Sequence, residues 1–206
     1  MIKKKSLIDG IGNQSETRIY YDNWAGNYDQ TLKSWNYKAP KKAANILYNL
    51  KKKINFNCDL ACGTGLFAEE LIKKYTKVTI DGCDISSFSL KIANKKNLYR
   101  NLFKKSFEKK IKFNQKYDSV SMIGSMTYCK KPDLLLPIIS SYLKKNGIFI
   151  FKHRIDLWNK QDFDTLILSF NKYFKFSYKS RPLNYLPENK DFSNKVKIRI
   201  VALKKN

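Results

Sequence analysis

The sequence has a single histidine and few arginines, prolines or cysteines. Its 206 residues include 1 His, 8 Gly, 5 Pro and 4 Cys. No apolar run approaches the roughly 18 residues that a membrane-spanning helix needs. Residues 1–6 are basic, but no apolar segment of signal-peptide length follows them. These absences predict a cytoplasmic protein with no membrane partner.

The cysteines and the lone histidine do not form the pattern of a metal centre. Cys58 and Cys62 flank a glycine turn at a spacing unlike the usual zinc pairs, and Cys83 lies in a predicted strand. The presence of only one histidine also argues against a dedicated zinc centre. The sequence therefore predicts reduced, mostly buried thiols and no metal ligands.

The positive charge is the most unusual feature of the composition. The formal net charge is +24, and the 41 basic residues comprise 36 Lys and only 5 Arg. Nucleic-acid surfaces usually recruit Arg for bidentate phosphate contacts. Lys, Asn, Ile, Phe and Tyr all have AT-rich codons, so a biased genome accounts for much of this charge. An anionic substrate or a nucleic acid attracted by the overall field remains the alternative.

Strand-like and helix-like segments alternate along the chain, with no repeat and no linker. This alternation is typical of a parallel sheet covered on both faces. We predict one domain over residues 1–206, with an N-terminal helical lid at about 1–35 and a core over 36–206. The predicted strands lie at about 54–60, 77–83, 102–105, 117–123 and 148–152, followed by two late strands near 173–178 and 196–203.

The strongest local signal is the segment DLACGTG at residues 59–65, which joins a predicted strand to a helix. Gly63 and Gly65 let the backbone turn sharply and let a ligand approach closely. In open α/β sheets, ligands bind beyond the carboxyl ends of the strands, where this turn lies. Ala68 loosely completes a dinucleotide fingerprint, so this motif alone leaves a nicotinamide cofactor open.

Asp84 adds a second element to the same site. It follows Gly63 by 21 residues and ends the second predicted strand. A carboxylate in that position can accept hydrogen bonds from both hydroxyls of a ribose. The alternative is that Asp84 only stabilises the start of the helix near Ser86.

These segments together resemble the class I S-adenosylmethionine-dependent methyltransferases. Residues 59–65 (DLACGTG) and 82–86 (GCDIS) resemble motifs I and II of that family, and 20–29 (YYDNWAGNYD) resembles the N-terminal segment of its small-molecule members. A narrower resemblance is to the methyltransferase-like family named after the Williams–Beuren syndrome region. It rests on three further segments: 123–128 (IGSMTY), 153–158 (HRIDLW) and 185–187 (YLP). The resemblance implies a Rossmann-like, mostly parallel seven-stranded α/β sheet with helices on both faces and an antiparallel edge strand near the C-terminus.

The resemblance also implies S-adenosylmethionine as cofactor. Asp59, Gly63 and Gly65 would lie beside its methionine part, Asp84 would accept from the ribose hydroxyls, and Ile85 would flank the adenine. The other implied cofactor contacts are Ala61, Ser106, Ile123 and Gly124. Ser106 departs from the family pattern, because many members have an acidic residue there for the adenine amino group. Since Ser106 is neutral, we expect a looser hold on adenine.

Two residues are candidates for direct participation in methyl transfer. His153 follows the fifth predicted strand on the ligand-bearing edge, where an imidazole could accept a proton from the acceptor. Tyr28 belongs, with Tyr20, Tyr21 and Trp24, to an aromatic segment that could close over the cofactor. The alternatives are a structural histidine and aromatic packing of an amphipathic helix.

The expected activity is methyl transfer to an O, N or S atom of a small-molecule acceptor. Residues 124–128 (GSMTY) lack the Asn/Asp-Pro-Pro-Tyr pattern associated with methylation of nucleic-acid bases. An RNA methyltransferase that uses the basic surface is the first alternative. A non-catalytic protein that binds S-adenosylmethionine or a partner is the second. The sequence does not determine the acceptor or the oligomeric state.

Overall fold

The computed structural model describes residues 13–190, 192 and 195–206. The basic residues 1–6 and the first twelve positions of the predicted lid therefore lie outside the described residues. The helices are α1 (Gln14–Trp24), α2 (Tyr28–Ser34), α3 (Ala39–Leu50), α4 (Leu66–Ile72), α5 (Ser87–Lys95), α6 (Pro132–Tyr142), α7 (Ile155–Lys160) and α8 (Phe163–Ser169). The strands are β1 (Phe56–Leu60), β2 (Thr79–Asp84), β3 (Asn101–Lys104), β4 (Tyr117–Ile123), β5 (Leu143–Arg154), β6 (Phe174–Lys179), β7 (Leu183–Asn184) and β8 (Lys197–Lys205).

The strands form one sheet in the order β3-β2-β1-β4-β5-β8-β6, and β7 pairs with β8. Strands β1 to β5 are parallel, and β8 is antiparallel to β5, β6 and β7. The predicted Rossmann-like sheet is confirmed, with antiparallel pairing at the C-terminal edge. Two details differ: β6 is the outermost strand with β8 inside it, and the two-residue β7 makes an eighth strand.

Helices cover both faces of the sheet, as is usual for parallel strands. On one face, Phe149 and Phe151 of β5 pack with Trp158 of α7 and Phe163 of α8. On the other face, Ile148 and Ile150 belong to a cluster with residues of α3 and α4. Successive side chains of a strand point to opposite faces, so alternate residues of β5 join different cores.

Polar side chains or a proline stabilise the N-termini of several helices. Asn13 accepts hydrogen bonds from the backbone N–H groups of Ser15 and Glu16 at the start of α1. Ser86 caps α5 by accepting from Ser89 N at 3.0 Å, and Pro40 lies in the first turn of α3. Such caps satisfy backbone donors that have no partner within the helix.

The four cysteines are free and buried, as the sequence predicted. Burial raises the pKa of each thiol, to about 12 for Cys83 and Cys129. None of the helices in the described part of the chain has the length and apolarity needed to cross a membrane.

Candidate active site

The turn after β1 contains three residues with a left-handed backbone conformation. Ala61, Gly63 and Gly65 have φ angles of 51°, 56° and 92°. Cys62 N donates to Cys83 O at 2.9 Å, and Gly63 N donates to Asp84 Oδ2 at 2.9 Å. The turn after β1 is thus fixed against the end of β2.

Asp84 lies at the junction of this turn and α5. Its Oδ1 atom accepts from Ser86 N at 2.8 Å, while Oδ2 accepts from Gly63 N. Burial raises the pKa of Asp84, and these backbone donors oppose that rise. An ionised carboxylate has about four lone-pair sites, so both oxygens retain capacity for further donors.

Asp59, at the end of β1, is a buried carboxyl held by two hydroxyls. Ser121 donates to Oδ1 and Tyr99 donates to Oδ2, each at 2.8 Å. Burial raises the pKa of Asp59 to about 7, although both hydroxyls oppose that rise. Gly82 makes room for this arrangement, because a Cβ atom there would lie 2.8 Å from the Tyr99 ring and 3.0 Å from Cys62 Sγ.

These turns open into a main cavity of about 740 Å³, counted together with the solvent space at its opening. Ligand pockets are mostly apolar, with a few polar groups. The cavity has apolar and aromatic walls, with Asp84 at its polar end. Its lining residues are Thr17, Tyr21, Tyr28, Tyr37, Ala61, Gly63, Asp84, Ile85, Ser89, Lys105, Phe107, Ile123, Gly124, Ser125, Tyr128 and Tyr185.

A second cavity of about 370 Å³ adjoins the first at the β1 turn. Tyr28, Tyr37, Ala61, Gly63 and Ile123 line both. Residues that line only the second include Asp59 and Thr64. The two cavities together follow the carboxyl ends of β1, β2 and β4.

The segment from α1 to α2 lies over the cavity and is fastened to the turns beneath it. Ser86 donates to Asp22 Oδ1 at 2.5 Å, and Tyr21 and Tyr128 share a hydrogen bond at 3.0 Å. These contacts hold α1 against the loops after β2 and β4.

A second set of contacts fastens α2. The Thr64 hydroxyl donates to Asp29 Oδ1, and Lys96 Nζ lies 2.6 Å from Asp29 Oδ2. Asp29 therefore joins α2 to the β1 turn and to the end of α5. The position of the N-terminal segment, predicted as a lid, is set by these polar contacts as well as by its aromatic rings.

The sequence is similar to a known protein family and to several curated proteins. A family model described as a methyltransferase domain matches residues 58–149. Human methyltransferase-like protein 27 is 33% identical over 96 residues, which is 45% of this chain and 39% of that protein. Malonyl-[acyl-carrier protein] O-methyltransferase 2 of Ilyobacter polytropus is 30% identical over 98 residues, 45% of this chain and 37% of the relative. The chain spans about two fifths of the length of these curated relatives.

Residues 58–149 are similar to a methyltransferase domain. Solved structures extend the likeness of fold to most of the chain. The plantazolicin methyltransferase BpumL in complex with SAH has a TM-score of 0.66 at 16% identity, covering 98% of this chain and 95% of that one. An S-adenosylmethionine-dependent methyltransferase from Clostridium acetobutylicum has a TM-score of 0.65 at 15% identity, covering 89% and 98%. The domain match supports the predicted enzyme class, and the solved structures share the predicted fold.

The β1 turn leaves space for a ligand of the size of S-adenosylmethionine. A Cβ atom on Gly63 would meet nothing within 4 Å, because the residue faces the cavities. The neighbouring Asp84 offers acceptors for a ribose, and Ile85 and Phe107 offer apolar surface for a base. The residues present therefore fit S-adenosylmethionine.

Most of the residues predicted for the cofactor meet at this domain's cavities. Ala61, Gly63, Asp84, Ile85, Ile123 and Gly124 line the main cavity, Asp59 lines the second, and Tyr28 lines both. Gly65 lines neither; it precedes α4, and a Cβ atom there would lie 3.2 Å from the Tyr99 ring.

Ser106 is not brought to the main cavity. Its hydroxyl accepts from Glu108 N at 3.2 Å and from the Gln14 side chain. The neighbouring Lys105 and Phe107 line the cavity instead. Ser106 lies in the loop after β3, and its side chain is held by these two donors instead.

His153 is also not brought to the cavity. It is fully buried, its ring centroid lies 4.6 Å from that of Phe163, and Nε2 is 3.3 Å from Gln161 Oε1. Burial lowers its pKa to about 4. Strand alternation puts His153 on the face of β5 covered by α7 and α8, whereas Lys152 and Arg154 point towards the other face.

Sequence reasoning missed several residues that build the site. Tyr99 and Ser121 hold Asp59, while Asp22 and Asp29 fasten the lid segment. Tyr37 also lines both cavities. Both aspartates belong to the segment YYDNWAGNYD at 20–29. The Tyr-Asp pair that is repeated in this segment is the sequence signal that could indicate a role for them.

Proposed function

We propose that this chain transfers the methyl group of S-adenosylmethionine to an O, N or S atom of a small-molecule acceptor. The observation that carries the proposal is the hydrogen bond between Gly63 N and Asp84 Oδ2 beside an aromatic-walled cavity. This bond joins the two turns that would hold the methionine and ribose parts of one ligand. The narrower family named after the Williams–Beuren region belongs to the same proposal, supported by the match to methyltransferase-like protein 27.

The cofactor-binding roles follow from position. Asp84 would accept from the ribose hydroxyls, and Ile85 would contact the adenine together with Phe107. Asp59, Ala61 and Gly63 would lie beside the methionine part, with Ile123 and Gly124 completing the wall after β4. Gly65 and Ser106 would act indirectly, through the shape of their turns.

The protein's part in the chemistry is mainly to position the acceptor. The sulfonium of S-adenosylmethionine supplies an already activated methyl group. Holding reactants in line can contribute about 7–11 kcal/mol, whereas a general base typically adds about 10²–10⁴-fold. Enclosure by α1 and α2 and by the tyrosine rings suits this task, because it fixes the acceptor and excludes water.

Tyr28 is the residue that we propose at the meeting point of cofactor and acceptor. It lines both cavities, and burial raises the pKa of its hydroxyl well above the ordinary value. The hydroxyl therefore stays protonated at neutral pH and serves as a hydrogen-bond donor rather than a base. We assign no chemical step to His153, because its ring packs on the far face of β5.

The test is incubation with S-adenosylmethionine labelled in the methyl group and a fractionated small-molecule extract, followed by identification of the labelled product. Parallel incubations with peptides and with total RNA test the other acceptor classes. Asp84→Asn should strongly reduce labelling at low cofactor concentration, whereas Asp133→Asn, at an exposed position on α6, should leave it unchanged. Labelling confined to RNA would contradict the proposed acceptor class, and cofactor binding without any labelled product would favour a non-catalytic protein.

A further inference from the structure

A small recess adjoins the main cavity on the side away from Asp59. It measures about 220 Å³, counted together with the solvent space at its opening, and shares Gly124, Tyr128 and Tyr185 with the main cavity. Lys152 and Arg154 of β5 also line it. The recess therefore lies beyond the β4 turn, where an acceptor rather than the cofactor would extend.

Lys152 is an unusual residue for an apolar sheet. It is 1% exposed, and its neighbour across the ladder on β8 is Ile200, which is also buried. Its Nζ atom lies 4.2 Å from the centre of the Tyr185 ring. Within the described residues, no carboxylate oxygen lies within 4.0 Å of Nζ.

An unpaired buried ammonium group is costly, by several kcal/mol even after relaxation. Burial and the nearby Arg154 accordingly lower the pKa of Lys152 to about 7. A packing role alone would be served better by an apolar side chain of similar length. The position of Lys152 instead favours a negatively charged partner that arrives from the cavity.

Arg154 provides a second cation on the same face of β5. It is 8% exposed, and its Nε atom lies 3.0 Å from Asp156 Oδ1. The Asp156 side chain is 57% exposed, so this carboxylate approaches Arg154 from the solvent side. Asp156 offsets the charge of Arg154, so the recess is positively charged whenever Lys152 is protonated, and a bound anion would favour that form.

Two buried hydroxyls beside the recess lack partners. The Oγ atom of Ser125 and the Oγ1 atom of Thr127 have no hydrogen-bond partner among the described residues. Their residues are 9% and 7% exposed; Ser125 lines the main cavity and Thr127 lines the recess. Buried polar groups are normally hydrogen-bonded, so these hydroxyls point to an acceptor group that a ligand would supply.

We propose that this recess binds a carboxylate group of the methyl acceptor, through Lys152 and Arg154 with the hydroxyl of Thr127. This inference rests on the proposed function, because it names the acceptor's chemical class. The carboxylate serves for recognition: two cations stabilise its charge and reduce its nucleophilicity. The methylated atom lies elsewhere in the acceptor, towards the rings of Tyr28 and Tyr128.

The size and walls of the recess favour one small anion attached to an apolar or aromatic body. The recess is narrower than the main cavity, and the tyrosine rings between them suit a planar group. A polyanionic backbone would instead need charges spread along an open surface. The predicted acceptors are therefore small carboxylic acids that carry a separate O, N or S nucleophile.

The experiment uses phenylacetate as the probe, with phenylacetamide and phenethylamine as its neutral and cationic counterparts and inorganic phosphate as a second anion. Each is titrated by calorimetry into the full chain saturated with S-adenosylhomocysteine. The titrations are repeated without S-adenosylhomocysteine, so that the recess is tested even if the cofactor does not bind. Lys152→Met removes the buried charge at similar length, and Lys175→Met, at an exposed position on β6, removes the same charge elsewhere.

We expect phenylacetate to bind in preference to the other three compounds. Lys152→Met should weaken its binding by about 30-fold or more, as for loss of a buried charge partner, and Lys175→Met should not. Equal binding of the amide and the carboxylate, or unchanged phenylacetate binding by folded Lys152→Met, would overturn the proposal. Preference for phosphate would overturn the choice of carboxylate. Loss of S-adenosylhomocysteine affinity in Lys152→Met would show that the recess serves the cofactor. Failure of wild-type protein to bind S-adenosylhomocysteine would instead overturn the proposed function.

Discussion

The ionisation of Asp59 gives a quantitative test of how the site is built. The carboxyl is 1% exposed, and burial raises its pKa from 3.8 to about 7. The folded protein therefore binds a proton at Asp59 more readily than the unfolded chain between these pH values. At about 1.4 kcal/mol for each tenfold factor, the difference is on the order of 4 kcal/mol. Because the folded-state pKa is the higher one, stability falls as pH rises through this window, and the full penalty remains above about pH 7.

Asp59→Asn removes this penalty while keeping the size and one acceptor oxygen of the side chain. We expect the variant to be more stable than the wild type by an amount that grows from about pH 5 to about pH 8. Urea unfolding of both proteins across that range measures the change, and taking the difference cancels other titrating groups. Asp118→Asn is the matched control of opposite sign, because Lys144 and the backbone N–H groups of Asn55 and Phe56 lower the pKa of Asp118. Its removal should destabilise the protein at neutral pH.

A stability difference between wild type and Asp59→Asn that is constant across the pH range would refute this reasoning. It would mean that Asp59 ionises alike in the folded and unfolded chains.

The ionisation of Asp59 also links cofactor binding to the release of protons. A cationic amino group placed beside Asp59 favours its ionised form, so S-adenosylmethionine should release protons on binding at about pH 6 and few at about pH 8.5. Calorimetry in buffers of different ionisation enthalpy measures this release.

Three further predictions concern the turn, the buried histidine and the surface charge. Gly63→Val should remain folded but lose cofactor binding, since φ is 56° and the side chain would enter the cavity; normal calorimetric binding would show that the turn is structural only. His153→Ala should lower the free energy of unfolding by about 1–3 kcal/mol while the folded variant keeps wild-type turnover, and a selective loss of turnover would place His153 in the chemistry. RNA binding should be weak and without sequence preference in filter assays near physiological salt, whereas a tight complex with one RNA class would favour the RNA alternative.

The cofactor side of the site could be predicted from sequence because its signals are local. The segment at 59–65 begins at the end of β1, and Asp84 is the last residue of β2. Both strand ends could be predicted from the sequence pattern. Parallel strands bring their carboxyl ends to one edge, so the two segments had to meet. The contacts of Asp22 and Asp29 could not be predicted from the sequence, because they join residues that are 64 and 35 positions apart.

The acceptor side could not be predicted because β5 is apolar on both faces. Residues 148–151 form a continuous apolar run, and such a run does not show which face meets the cavity. The strand also continues to Arg154, two residues beyond its predicted end. Whether Lys152 or His153 faced the cavity was therefore undetermined, and α7 and α8, which cover His153, were not predicted.

The most direct test of the central claim is calorimetric titration of the wild type, Asp84→Asn and Asp133→Asn with S-adenosylmethionine. The proposed site predicts that wild type and Asp133→Asn bind one equivalent. It also predicts that Asp84→Asn, shown to be folded by circular dichroism, loses about 1.5–3 kcal/mol of binding free energy, as for hydrogen bonds to a charged group. Unchanged affinity in folded Asp84→Asn, or no binding by the wild type, would contradict it.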